Sequence, residues 1–274
     1  MRNILILWLA VTGLDFSRPL QAGESGTKEW LVGGSGTNTL LTEVLVKAFR
    51  VKHPGIRIKV ISPIGSTGGI KGVHKEKIAL GLVSRPVRET ERAWNLKALP
   101  YARTVIVFGA NPSVQDDELS AKDVLAIYSG KRTGWRNGGR IVVLVREEGD
   151  SSAEVLMKAI AGFKGILESA WRSGIWRVEY RDEECNASIE RLRNAVGWTD
   201  LGSIRLGRHK IKPLKFNGIA PSAENLLSGK YPLYKDLAFV YREPLPEPLR
   251  EFTAFVRSAE GAELIRKNGY IPVP

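Results

Sequence analysis

Three stretches of this sequence place small residues and hydroxyls where a helix should begin: Gly33-Gly-Ser-Gly-Thr37, Gly65-Ser-Thr-Gly-Gly69 and Gly149-Asp-Ser-Ser152. The first turn of a helix leaves backbone N–H groups without partners and carries a partial positive charge of about half a unit. Serine and threonine add O–H donors, and glycine lets backbone approach a ligand closely. Together these groups suit capture of a small anion. Each stretch alone also fits a plain helix cap; three in one chain favour a shared anion. The candidates are Ser35, Gly36, Thr37, Ser66, Thr67, Asp150, Ser151 and Ser152. None of the loops has the glycine followed by Lys-Ser or Lys-Thr that marks a nucleotide P-loop. Arg146 closes an apolar run from Arg140 and would bring a guanidinium fork to anionic oxygens, unless it is a surface charge paired with Glu147 or Glu148.

Other chemistries lack their residues. Hydrolysis needs a positioned nucleophile and base, often with a metal, but His53, His74 and His209 lie outside the three loops and no HExxH spacing occurs. No cofactor, no metal site and no enzymatic activity are expected. The single cysteine, Cys185, follows Glu183-Glu184, a setting that discourages a reactive thiolate, and reads as structural.

The elements that must hold these loops alternate between strand and helix. Glu29–Val32 reads as a strand, followed by a helix with Leu40, Leu41, Val44, Leu45, Ala48 and Phe49 on one face. Ile56, Ile58 and Val60 alternate as a second strand. A short helix from the second loop ends near Lys75, and Ile78–Val83 forms a third strand. Thr104–Phe108 is a further strand and Ala110-Asn-Pro112 a turn, where the chain is expected to cross into a second unit. Beyond it, Ser120 with Asp123 three residues later resembles a helix start, Arg140–Arg146 is a strand, and Gly149–Ser152 opens a helix through Phe163. A helix near Ala187–Asn194, strands at Val196–Thr199 and Leu237–Tyr241, and a closing helix from about Pro248 to Lys267 complete the rhythm. The pattern predicts an α/β protein with parallel-rich sheets in two lobes: 23–109 in the first, 110–215 in the second, and 216–274 returning to the first.

The chain of 274 residues carries 41 Lys and Arg against 29 Asp and Glu, a formal charge of +12. The basic residues are dispersed and no zinc-finger or RNA-binding signature occurs, so nucleic acid is not an expected partner and the charge serves encounter with anions. Arg2, the apolar run Ile4–Ala10 and the Leu20-Gln-Ala22 stretch form a signal-peptide pattern, giving residues 1–22 as a cleavable leader and a periplasmic location.

Several ordered landmarks resemble the phosphate-binding proteins of ABC importers. They are Gly65-Ser-Thr-Gly-Gly-Ile70, Gly81-Leu-Val-Ser-Arg-Pro86, Asp123-Val-Leu-Ala-Ile-Tyr-Ser-Gly-Lys131 with Trp135, and Val145-Arg-Glu-Glu-Gly-Asp-Ser-Ser152. Val196-Gly-Trp-Thr-Asp-Leu-Gly202, Gly218-Ile-Ala-Pro-Ser-Ala-Glu-Asn225 and Tyr231-Pro-Leu233 continue the resemblance over most of residues 29–274. It implies a two-lobed type II periplasmic-binding-protein fold that closes on inorganic phosphate, acts as a monomer and serves ABC permease subunits. By motif position it implies Thr37, Ser66, Arg146, Ser151 and Ser152 as ligand contacts. Where better-known members carry an aspartate, this chain has Ser84 followed by Arg85, and both join the candidates. Gly149-Asp-Ser-Ser152 also replaces a Gly-Ser-Gly-Thr pattern, which leaves sulfate, molybdate and arsenate open. An ionised carboxylate accepts but never donates hydrogen bonds, so losing it should lower discrimination against unprotonated anions; Asp150 could replace that acceptor or simply cap its helix. The alternatives to transport are an oxyanion-sensing or buffering module and a phosphoester hydrolase.

Overall fold

A computed structural model describes residues 28–273; the expected leader lies outside them. In chain order the elements are β1 (Glu29–Gly34), α1 (Gly36–Lys52), β2 (Arg57–Val60), α2 (Gly65–His74), β3 (Leu80–Val83), α3 (Glu89–Arg92) and β4 (Lys97–Ala110). Next come β5 (Glu118–Leu119), α4 (Ala121–Tyr128), β6 (Val142–Arg146), α5 (Ser151–Ala159), α6 (Phe163–Ser173), β7 (Arg177–Glu179), α7 (Asp182–Arg191), β8 (Ala195–Asp200) and α8 (Leu201–Leu206). The chain ends with β9 (Lys212–Pro213), β10 (Lys215–Phe216), α9 (Ala223–Leu227), β11 (Tyr234–Tyr241), α10 (Glu247–Arg257), α11 (Ala259–Lys267) and β12 (Ile271–Pro272). No helix among the described residues is long and apolar enough to cross a membrane.

The sheet runs β2-β1-β3-β11-β4-β8-β6-β7. β1 lies parallel to β2 and β3, and β6 parallel to β7 and β8, as strand–helix–strand units require. β3 is buried along its whole length, the apolar habit of a strand covered on both faces. β4 is the seam. Its residues Lys97–Val105 pair with β11, and Ile106–Ala110 pair with β8, so one 14-residue strand passes from one lobe into the other. The first lobe packs Val32, Leu41, Leu45, Phe49, Leu82 and Phe239 together. The second packs Phe108, Ile127, Tyr128, Leu156, Phe163 and Trp198.

Both crossings fall elsewhere than the sequence boundaries. Val105–Phe108 already belong to the second core, and Leu214, Phe216, Leu226, Tyr231 and Leu233 remain in it. Phe216 pairs with Leu119 across β10 and β5, which keeps the chain in the second lobe beyond 216. The return occurs between Leu233, in the second core, and Leu237, in the first. Two helices also divide: α5 ends at Ala159 before α6, and the closing helix breaks at Ser258, whose hydroxyl caps α11 by accepting from Gly261 N–H. The Ser120–Asp123 start forms a reciprocal capping box, as its spacing suggests. The helix expected near Ala187–Asn194 begins earlier, at Asp182, with Glu183 and Glu184 also in its first turn where acidic groups suit the dipole.

One backbone position fixes the first loop. Gly34 holds φ +152°, and a Cβ there would stand 2.0 Å from the Leu82 carbonyl oxygen, which itself accepts from Ser35 N–H at 2.8 Å. Gly34→Ala is therefore expected to destabilise the protein by about 3 kcal/mol or more, because the clash is with backbone and no rotamer relieves it. Urea unfolding at neutral pH checks this; a change below about 1 kcal/mol would contradict the close approach.

Candidate functional site

Three helix starts meet where the lobes face each other. Ser35 is the N-cap of α1, yet its side chain makes no capping bond; its hydroxyl contacts Ser84 Oγ at 2.7 Å. α2 begins at Gly65 after Ile64, again without a side-chain cap. Neither helix has an acidic residue in its first turn, so neither positive end is compensated by its own sequence. Ser66 Oγ accepts from Ser84 N–H at 3.1 Å, which sets the end of β3 against α2. From the second lobe, α5 presents Ser151 and Ser152, and Ser84 Oγ reaches Ser151 Oγ at 2.8 Å across the cleft. Asn38 anchors the start of α1 by donating to Val83 O and to the Tyr101 hydroxyl.

A cation from β11 completes this cluster. Lys235 is only 2% exposed, and its ammonium donates to Thr37 Oγ1 at 2.7 Å, Ser152 Oγ at 2.8 Å and Ser151 Oγ at 3.4 Å. No carboxylate among the described residues forms a salt bridge with it. Behind it, Asp200 is buried; burial pushes its carboxyl above the usual range, against the opposing pull of Lys235 and the bonds from Ser203 and Thr104. Asp200 accepts from the Thr104 hydroxyl at 2.7 Å, from Ser203 N–H at 3.0 Å and from the Ser203 hydroxyl at 2.7 Å.

The second buried cation is Arg146, at the end of β6. Asp182 Oδ1 lies 3.5 Å from Nη1 and Asp150 Oδ2 3.7 Å from Nη2, while Nη2 donates to Tyr180 O at 3.2 Å. Its Nε and Nη1 atoms are buried without hydrogen-bond acceptors. Burial opposes the guanidinium charge, but Asp182 and Asp150 outweigh it and hold the group protonated. Asp182 starts α7 and reaches across to α1: a Cβ on Gly36 would meet its Oδ2 at 2.3 Å. Cys185 lies below, its thiol pushed up to about 12 by burial and so inert, as its sequence setting suggested.

The structure brings together Ser35, Thr37, Ser66, Ser84, Ser151 and Ser152, with the backbone of Gly36 and the Arg146 guanidinium beside them. It turns three other candidates to different work. Arg85 forms a two-pronged bond to Glu91, at 2.7 and 2.8 Å, and donates to Thr67 Oγ1 at 2.9 Å. A buried guanidinium needs a carboxylate, and Glu91, six residues on, supplies both oxygens; Arg85 and Thr67 therefore brace the loop beside the cleft. Asp150 Oδ1 accepts from Ala153 N–H at 2.9 Å and Trp198 Nε1 at 3.1 Å, the work of an N-cap and not of a free acceptor. Arg146 faces carboxylates, but they are Asp150 and Asp182 in place of Glu147 or Glu148. Lys235 was missed because the strand was read from Leu237. A signal was present: Lys235, Leu237 and Phe239 alternate on the inward face of β11. The three histidines lie elsewhere, His53 and His74 stacked on Phe49 and Trp94, and His209 against Glu190.

Two lobes joined by shared strands, facing each other across helix starts, hydroxyls and the buried Lys235, have the architecture of a two-lobed binding protein. The chain belongs to the PBP superfamily, whose domain model matches residues 21–260, and its fold is the type II periplasmic-binding-protein fold. It is 24% identical to the phosphate-binding protein PstS of Pseudomonas aeruginosa, over 97% of this chain and 90% of that protein. It is 25% identical to the phosphate-binding protein PstS 2 of Streptococcus pneumoniae, but there the match spans 48% of this chain and only 45% of the relative. A substrate-binding protein from Clostridium perfringens, solved with bound phosphate, superposes with a TM-score of 0.81 at 23% identity, covering 90% of this chain and all of that one.

Proposed function

We propose that this chain is an exported solute-binding protein that captures inorganic phosphate or a related tetrahedral oxyanion in the interlobe cleft and delivers it, as a monomer in the periplasm, to ABC permease subunits. The observation that carries this reading is Lys235, an ammonium buried among hydroxyls of both lobes. A charge taken out of water is stable only when compensated, and an anion between Lys235, Arg146 and the uncapped starts of α1 and α2 would supply that compensation. The names of the relatives support phosphate as the ligand class. The relatives named as phosphate-binding and substrate-binding proteins support binding without turnover.

Titration of the protein without residues 1–22 against phosphate, sulfate and molybdate tests the reading. A ligand at a hundred times its dissociation constant should raise unfolding stability by about 2.7 kcal/mol, read as a higher thermal midpoint. EDTA should leave the effect intact. Failure of all three anions to bind the folded protein, or steady release of phosphate from a phosphomonoester after repurification, would overturn it.

A further inference from the structure

Building on the oxyanion-binding reading, we propose that Lys235 sets the charge state of the captured anion: it fixes the surrounding hydroxyls as donors, so that the cleft takes tetrahedral oxyanions as dianions and discriminates against each proton they carry.

The argument starts from what a hydroxyl can do. Serine and threonine each have one proton to donate and can accept as well. Thr37, Ser152 and Ser151 all accept from the Lys235 ammonium, which orients their own protons away from it. Accepting a further proton beside a cation is electrostatically unfavourable. Ser151 also joins a chain through Ser84 to Ser35, with oxygens 2.8 and 2.7 Å apart, in which each proton but the last serves the next hydroxyl, so the chain leaves one free O–H beside those of Thr37 and Ser152. These donors suit an ionised oxygen, whereas a protonated one meets a donor head-on, a mismatch of the kind that discriminates strongly between near-isosteric ligands.

The carboxylates around the hydroxyl cluster already have partners. From α5, Asp150 is held by Ala153 N–H and the Trp198 indole; from α7, Asp182 lies on Arg146 of β6. From β8, Asp200 has its oxygens occupied by Thr104 and Ser203. Asp236, next in β11, is exposed at the same cavity and pairs with Arg103. The Tyr270 hydroxyl donates to Thr37 O, and burial keeps it protonated. Arg85 and Glu91 satisfy one another. One side is different: a cavity of ≈ 540 Å³ has Ser84, Ser151 and Lys235 on its wall together with the apolar Val155 and Ala238 and the carboxylates of Glu154 and Asp236, which pair with Arg88 and Arg103. The single proton of a phosphate dianion can face that space and its water, whereas the second proton of a monoanion would have to face the donors.

Phosphate loses its second proton near neutrality, so calorimetric titrations at about pH 5.5, 7 and 8.5 read the preference directly. The full protein without residues 1–22 is compared with Lys235→Met and Lys235→Arg, each checked for folding by near-UV circular dichroism. Apparent affinity scales with the fraction of competent species. For the unmodified protein, phosphate affinity should rise at least about tenfold across this range. Sulfate, which has no proton to lose, should bind with a flat profile and come within about tenfold of phosphate at the highest pH. Lys235→Met should flatten the phosphate profile and weaken sulfate more than phosphate; Lys235→Arg should keep the slope. A flat phosphate profile with sulfate excluded, or an undiminished slope in Lys235→Met, would overturn the proposal while leaving phosphate capture standing. Binding of neither anion by the folded unmodified protein would remove the underlying reading as well. If Lys235→Met does not fold, the unmodified protein's two profiles and the Arg variant still decide.

Discussion

Replacing Arg146 by alanine is expected to weaken oxyanion binding by about 2–5 kcal/mol, a loss of at least about 30-fold. Two effects add. The guanidinium is buried, and its Nε and Nη1 have no hydrogen-bond acceptor among the described residues. Its removal also leaves Asp150 and Asp182 without their cation, so that two carboxylates then repel the incoming anion. Breaking a buried ion pair by removing one partner typically costs about 3–5 kcal/mol, so the variant should also unfold earlier, and affinity must be compared at matched folding. Arg146→Lys restores a point charge without the planar fork and should recover only part of the loss. Calorimetry on the three proteins measures it. Unchanged affinity in a folded Arg146→Ala would show that the residue holds α5 and α7 together and takes no part in capture.

The second large effect lies in stability, and separates the two arginines that the sequence offered as ligands. Glu91→Gln should destabilise the protein by about 3 kcal/mol or more at neutral pH, because Arg85, 3% exposed, then lacks its carboxylate. Oxyanion affinity should change little, since the pair braces Thr67 and the N–H of Arg88 and not the hydroxyl cluster. The effect should depend on pH in a defined direction. Burial pushes the Glu91 carboxyl up, but the bonds and charges of Arg85 and Arg88 outweigh it, and the group is held below its ordinary value. A carboxyl depressed in the folded state stabilises above its unfolded value and loses that contribution as pH falls through the folded one. The gap between unmodified protein and variant should therefore be full at neutrality and narrow below about pH 4. Urea unfolding at both pH values checks it. An equal gap at both would assign the loss to packing instead of charge.

Much of the chemistry was legible because it is local. A glycine and hydroxyl pattern between an apolar strand and an amphipathic helix produces unpaired N–H groups whatever the rest of the chain does. Ser35, Thr37, Ser66, Ser151 and Ser152 accordingly lie at the starts of α1, α2 and α5, whereas Ser84, which only the family resemblance suggested, meets them from the end of β3. The strand-and-helix alternation likewise dictated two α/β lobes, since apolar faces of those periods bury themselves in few ways.

The sequence by itself thus determined the elements, the donors at their starts and the family resemblance those landmarks carry. Only the tertiary structure decided which charges meet the hydroxyl cluster. Lys235 stands 198 residues from Thr37, and it meets Thr37 and Ser152 because β11 returns between β3 and β4 in one particular register. Shifting that register by one residue would exchange Lys235 for exposed Asp236, since side chains alternate faces along a strand. Asp182 reaches Arg146 and Gly36 only because α7 begins at the cleft. Arg85 was a ligand candidate in sequence, and the fold gave it to Glu91: a guanidinium removed from water is stabilised most by the carboxylate that the fold delivers with both oxygens in reach. Hydrogen-bonding capacity is a property of a residue and its immediate backbone, whereas electrostatic partnership depends on distances that the assembled lobes alone create.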